Sequence, residues 1–399
     1  MTQIDAGRFA GLLHAYGPAT DTPAHLAALA GGDPAALDAA VGHLWSAIIH
    51  QGTPWTATAP AALVVAALVG DPRMSGPARA GLRTDLLGFL AEVAEAGMPF
   101  PELTDLEPPP GFDLDAVVAE AVAEGEEDEL YGDETTANAL YLRAVRDCHA
   151  ITPRLMEVAE AALSDPDPAV RTSAAHLATV CAVSTSTAQP PTASPSTAPV
   201  PPAPSAADSL AARLDALAAG AGPDERAALV LSMGGLGVAP RAYLRDPHPG
   251  VRACAALAPG LADDPEATAE ILAALADPLA VQSWFTVRPP QFSAHIRFTL
   301  IGAAIERVPD PADLLPAALA VVPIAGIHTV DADWGRLLMA FFTGYGGTGQ
   351  ELSSVQRRYL AALVDRAELW VPRNGNAGLV FSRAGLPYDR ESCRAMLAS

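Results

Sequence analysis

The sequence predicts an all-α fold, a solenoid of stacked antiparallel helix pairs, and three observations carry that expectation. One pattern occurs twice, as Asp165-Pro166-Asp167-Pro168-Ala169-Val170-Arg171-Thr172-Ser173-Ala174-Ala175 and as Asp246-Pro247-His248-Pro249-Gly250-Val251-Arg252-Ala253-Cys254-Ala255-Ala256. Each copy follows an apolar helical stretch, and a recurring helix–turn–helix unit is the signature of a stacked array. Leu, Ala and Val recur along most of the chain at the three- and four-residue spacing of a helix face. Pro, Gly and Asp-Pro pairs punctuate those stretches, and no alternating pattern marks a strand.

Within the repeated pattern each residue type has a physical reason. Pro168 and Pro249 suit the first helical position, where the missing N–H costs nothing. Asp165 and Asp246 carry the short acceptor side chain that caps turns and helix starts. Val170 and Val251 are expected in the core, with Ala174, Ala175, Ala255 and Ala256 allowing a neighbouring helix to approach closely.

Read in order, the expected helices of the front half are 34–50, 60–69, 76–96, 113–123, 135–150, 153–163 and 168–183. Those of the back half are 207–219, 225–233, 251–261, 265–276, 294–308, 311–322, 334–343 and 352–366. Between the halves, Ser184–Ala207 is uncharged, without aromatics, and nearly all Pro, Ala, Ser and Thr. Such a segment buries too little apolar surface to offset its own ordering, so a disordered linker is expected. Four parts follow: an acidic helical half 1–183, the linker 184–207, a second helical half 208–367 and an atypical C-terminal cap 368–399. In the cap, Asn374-Gly375 reads as a turn and Asp389 as the start of a last helix. An atypical terminal unit is what an open-ended stack needs.

The composition narrows the chemistry. All 24 basic residues are Arg, against 46 Asp and Glu, for a net charge of −22. Without Lys the chain has no Schiff-base amine, no Ser–Lys pair and no Walker-type phosphate lysine. The abundance of Ala, Pro and Gly fits a GC-rich bacterial coding sequence. The longest apolar run, Ala59–Val69, is too short to span a bilayer, and no membrane association is expected. Met1–Gly11 lacks the basic and apolar regions of a secretory signal. With Cys148, Cys181, Cys254 and Cys393 scattered, buried thiols in a reducing cytoplasm are expected.

The two Asp-Pro-x-Pro-x-Val-Arg segments resemble HEAT repeats, a likeness that implies a HEAT-like α-solenoid in which Asp and Arg bridge neighbouring units. His50-Gln51-Gly52-Thr53-Pro54-Trp55-Thr56-Ala57-Thr58 resembles a segment near the front of bacterial HEAT-containing proteins. Leu369-Trp370-Val371-Pro372-Arg373-Asn374-Gly375-Asn376-Ala377, with Ala384–Arg390 after it, resembles their C-terminal end.

Catalytic and cofactor motifs read weakly against this background. Gly344-Tyr345-Gly346-Gly347-Thr348-Gly349 matches a dinucleotide fingerprint in letters, but that motif needs a preceding strand, and Leu337, Leu338, Phe341 and Phe342 have helical spacing. It is expected to be a helix-ending loop. His43 and His50, seven apart with Trp45 between them, would share a helix face about 10 Å apart along its axis, too far for one metal. Both are expected as core histidines. Cys148 and His149 are adjacent and would diverge on a helix, so an activated thiolate is not expected. HEAT-type di-iron hydroxylases use His-Glu pairs, which this sequence lacks, and HEAT-like DNA glycosylases need a basic face. No catalytic, cofactor or metal-binding residue is assigned.

Charge supplies the one candidate site. Residues 1–183 hold 8 Arg against 26 Asp and Glu, a net of −18, whereas 208–399 net only −4. No basic residue occurs from Thr84 to Leu142. The densest acidic cluster is Glu124, Glu126, Glu127, Asp128, Glu129, Asp133 and Glu134. As a solvated face it would keep an Ala-rich chain soluble; as a site it would attract a basic protein. The expected function is a non-catalytic protein-binding scaffold in the cytoplasm, without cofactor and not for nucleic acid. The alternatives are an immunity or regulatory protein that neutralises a basic toxin or nuclease and, behind it, a HEAT-fold enzyme.

Overall fold

Several helices begin where the sequence sets Asp before Pro. Asp33, Asp167, Asp264 and Asp310 each accept a hydrogen bond from a first-turn backbone N–H, at 2.7–2.9 Å, with Pro34, Pro168, Pro265 and Pro311 in the position that needs no donor. The computed structural model describes residues 5–187, 205–347 and 350–398, without the side chains of Glu127, Asp128 and Thr187. These fall into two units, Met1–Ala216 and Leu217–Ser399.

The first unit opens with a short hairpin, β1 (Leu13–His14) and β2 (Gly17–Pro18), then α1 (Thr22–Gly31) and α2 (Pro34–His43). A second hairpin, β3 (Ile49–His50) and β4 (Thr53–Pro54), leads to α3 (Thr58–Val69) and α4 (Ala80–Ala96). There follow α5 (Leu114–Glu124), α6 (Glu134–Ala162), α7 (Pro168–Thr187) and α8 (Ala206–Ala218). α3 packs on α4 and α6 on α7, while α3 also packs on α6 and α4 on α7. Two consecutive helix pairs are thus laid against each other, with α5 in the excursion between them. Both α4 and α7 bury apolar residues: Leu86, Leu87, Phe89 and Leu90 of α4 and Val170, Ala174, Ala175 and Ala178 of α7 are all fully buried. At the end of α4, Gly97 lies so close to α6 that a Cβ there would sit 2.6 Å from the His149 backbone nitrogen.

The second unit contains α9 (Pro223–Gly235), α10 (Pro249–Ala256), α11 (Pro265–Ala276), α12 (Pro278–Val281), α13 (Ile296–Arg307), α14 (Pro311–Val321), α15 (Trp334–Phe341), α16 (Ser354–Asp365), α17 (Gly375–Arg383) and α18 (Arg390–Ala398). Alternate helices pack in two rows: α13, α15 and α17 form one, and α11, α14, α16 and α18 the other. Val251, Ala255 and Ala256 are fully buried, as the repeated pattern predicts. Arg297 of α13 holds Asp333 before α15, Nη2 to Oδ2 at 3.0 Å, and both are buried. Burial raises the Asp333 carboxyl, and the hydrogen bonds from Trp334, Thr329 and Arg297 oppose that rise. In α16, the buried Tyr359 hydroxyl donates to the Trp334 carbonyl at 2.9 Å. The tail does not abandon this order: Trp370 stacks on Tyr388 at 5.6 Å, and α17 and α18 extend both rows.

An all-α fold is therefore the architecture, and among the described residues strands are confined to the two hairpins. Several boundaries differ from expectation. Residues 34–50 are not one helix: α2 ends at His43, a π-turn covers Leu44–Ile48, and β3 follows. The expected helices 135–150 and 153–163 are one helix, α6, ending at Ala162, because packing on both α4 and α7 carries it through Pro153. α1 was not expected at all. The expected linker 184–207 is described only at its ends, where α7 runs through Thr187 and α8 starts at Ala206; residues 188–204 lie outside the described residues. Ser184 is buried and its Oγ lies 3.2 Å from His149 Nδ1, so helix packing, not composition, governs this residue. Among the described residues no helix is long and apolar enough to cross a membrane.

Candidate functional site

The acidic cluster sits where α5 gives way to α6. Gly125 adopts the left-handed conformation at φ 71° and closes α5, with the Glu126 N–H donating to the Ala121 carbonyl at 2.9 Å. A 3₁₀ turn, Glu127–Tyr131, follows. Glu124, Glu126, Glu129, Asp133 and Glu134 are exposed. Glu127 and Asp128 lie in the turn, and their side chains are outside the described residues. Among the described residues none of the five exposed carboxylates shares an ion pair, whereas nearby Asp115 and Glu107 are paired with Arg143 and Arg146. Asp133 serves the fold as well: it caps α6, accepting from the N–H and hydroxyl of Thr136 at 2.8 and 2.7 Å, which holds its carboxyl below the usual range.

The same unit holds a second cluster, which spacing along the sequence did not reveal. Both hairpins turn in two residues, Ala15-Tyr16 and Gln51-Gly52. Gln51 and Gly52 have φ of 52° and 80°, the double left-handed turn that matches strand twist. The first hairpin is anchored to its surroundings by the Ala15 N–H on the Ala47 carbonyl and the Ala57 N–H on the Leu13 carbonyl, both at 3.0 Å. His14 is thereby set beside the start of α1 and the end of α2.

There, His14 Nε2 lies 3.0 Å from Asp21 Oδ1, and His43 Nδ1 lies 4.0 Å from Asp21 Oδ2. His14 and His43 are buried at 5% and 8% exposure, while Asp21 opens to solvent. Each imidazole is held from behind: His14 Nδ1 accepts the Tyr16 N–H at 3.1 Å, and His43 Nε2 lies 3.0 Å from Thr22 Oγ1. His25 stacks on His43 with centroids 4.2 Å apart. Burial, with His25 beside it, pushes His43 down to about 4, so it is neutral at physiological pH. The Asp21 carboxyl is lowered: its own burial raises it, but the hydrogen bond from His14 and the charges of His43 and His14 outweigh that.

These neighbours correct the sequence reading of the histidines. His43 is buried as expected, but the π-turn after α2 directs His50 elsewhere, to the Ser46 carbonyl at 2.9 Å and the Tyr16 ring at 5.8 Å. His14, Asp21 and His25 were missed because residues from a hairpin and two helix ends have no common spacing.

A small cavity of about 140 Å³ lies between β4 and α6, lined by Leu13, Pro54, Trp55, Tyr131, Leu140 and Tyr141. Trp55 Nε1 is buried there without a hydrogen-bond partner among the described residues. In the second unit, the glycine loop follows α15 rather than a strand, so the context of a dinucleotide fingerprint is missing; Thr348 and Gly349 lie outside the described residues. Cys148 does not meet His149 as an activated pair: the histidine faces Ser184, and burial drives the thiol up to about 12.

Comparison with protein-family models, with curated proteins and with solved structures finds no match to this chain.

Proposed function

We propose that the chain is a non-catalytic protein-binding scaffold, a HEAT-like α-solenoid that works in the cytoplasm. The layering of helix pairs within each unit supports the solenoid reading, since such stacks offer extended surfaces to a partner. The partner proposed is a protein with a basic surface. One observation carries this choice: Glu124, Glu126, Glu129 and Glu134 stand exposed without ion-pair partners among the described residues, in a half-chain of net charge −18. Carboxylates left in water attract a positive surface from a distance, and that attraction is screened over about 8 Å at physiological ionic strength.

The test is co-purification from native cells, identification of the bound protein by mass spectrometry, and measurement of its association rate. Replacing Glu126, Glu127, Asp128 and Glu129 with their amides is expected to slow association, as is raising the salt concentration. A rate indifferent to both would remove the electrostatic site. A basic toxin or nuclease as the partner would specify an immunity role for the same surface.

A further inference from the structure

We propose that His14, Asp21 and His43 form a binding site for a divalent transition-metal ion of the zinc type. Two imidazoles and one carboxylate are a borderline donor set that suits Zn²⁺, and three protein ligands leave a position for water. The ligand atoms lie within 4.8 Å of one another. The 4.0 Å from His43 Nδ1 to Asp21 Oδ2 exceeds hydrogen-bond reach, yet is about twice a Zn–N or Zn–O bond of roughly 2.0–2.2 Å. An ion between them bonds to both after only a small closure. His14 Nε2 already lies 3.0 Å from the same carboxylate, a separation two ligands of one ion can have.

The surroundings suit the ion as well. His43 Nε2 lies 3.0 Å from Thr22 Oγ1, which orients the ring as metal-bound histidines are oriented by an outer partner, and leaves Nδ1 facing Asp21. Asp21 faces solvent and gives the ion a way in. One rearrangement is required. Without metal, His14 Nδ1 accepts the Tyr16 N–H, which leaves the proton on Nε2, where it holds Asp21. For Nε2 to bind an ion, that proton moves to Nδ1 and the Tyr16 amide must turn away. Tyr16 lies in a two-residue turn and is 66% exposed, so an amide turned from His14 can bond to water instead. Binding therefore changes the His14 tautomer, and the change is read at Tyr16.

The experiment is calorimetric titration of the chelator-treated full chain with Zn²⁺ alone, with the Tyr16 amide followed by nuclear magnetic resonance. One equivalent is expected to bind at micromolar or lower Kd and to shift the Tyr16 amide. Asp21→Asn and His43→Gln should each weaken binding at least tenfold, while His50→Asn leaves it unchanged. Asp21 is exposed, so its variant retains the fold even if the buried His43 variant does not. The absence of a saturable one-equivalent isotherm, or wild-type affinity in Asp21→Asn, would overturn the proposal.

Discussion

Arg83 holds Asp165: the guanidinium of α4 lies with Nη2 2.8 Å from Oδ2 and 3.0 Å from Oδ1 of the aspartate that opens the α6–α7 turn. Arg226 of α9 treats Asp246 the same way, Nη1 to Oδ2 at 2.9 Å. In both copies Asp Oδ1 also accepts the N–H two residues on, at 2.9 and 2.8 Å. The Arg of each repeated pattern turns inward, Arg171 onto the Asp165 and Pro166 carbonyls and Arg252 onto that of Asp246. The bridging Asp of the pattern thus takes its Arg from another helix, while the pattern's own Arg fastens its turn, and Arg252 also pairs with Glu270 of α11.

Removing the carboxylate should cost unequally. Arg83 is 3% exposed, so Asp165→Ala leaves a buried guanidinium uncompensated, at about 3–5 kcal/mol. The Arg226 side chain is 22% exposed and can reach water, so Asp246→Ala should cost less. Denaturant unfolding of the two variants measures the order.

Close helix approach should tolerate no added volume. Ala175→Leu at a fully buried position of α7 is expected to destabilise by about 1–3 kcal/mol through overpacking. Gly97→Ala should act in the same direction, because its Cβ would meet α6 backbone rather than a movable side chain. Equal thermal midpoints for either variant and the wild type would contradict the packing described.

Mild acid should loosen the first unit. Burial lowers His43 and His176 from the usual 6.5 to about 4. Between those values the unfolded chain binds the protons and the folded chain does not, so stability is full above about pH 6.5 and falls toward pH 4, by on the order of 1–3 kcal/mol for each histidine. Asp85 and Glu95, raised by burial, act in the opposite sense near their own range, so thermal midpoints from pH 7 to 5.5 are the useful measurement.

Much of the helical order was legible because it is local. Asp-Pro starts, the buried Val170 and Val251, and the Ala contacts follow from capping and periodicity alone. The unread features are tertiary. Pro153 signals a stop, but α6 packs against two helices at once and continues. Strands of two residues are too short to alternate, and the histidine cluster joins a hairpin to two helix ends, so His14, Asp21 and His43 come together only after folding. The acidic cluster was visible as composition, whereas the capping role of Asp133 needed the position of Thr136.

The scaffold proposal has a direct test in the missing lysine. A zero-length reagent that couples carboxylates to amines cannot join this chain's acids to any lysine of its own, because it has none. Any carboxylate–lysine linkage recovered by mass spectrometry therefore belongs to a second protein. Applied to native cell extracts at low salt, the reagent should yield linkages from the Glu124–Glu134 segment to the lysines of one recurrent partner, lost at high salt. A recurrent partner whose lysines never link to that segment, at any salt concentration, would contradict the assignment of the acidic surface as the binding site.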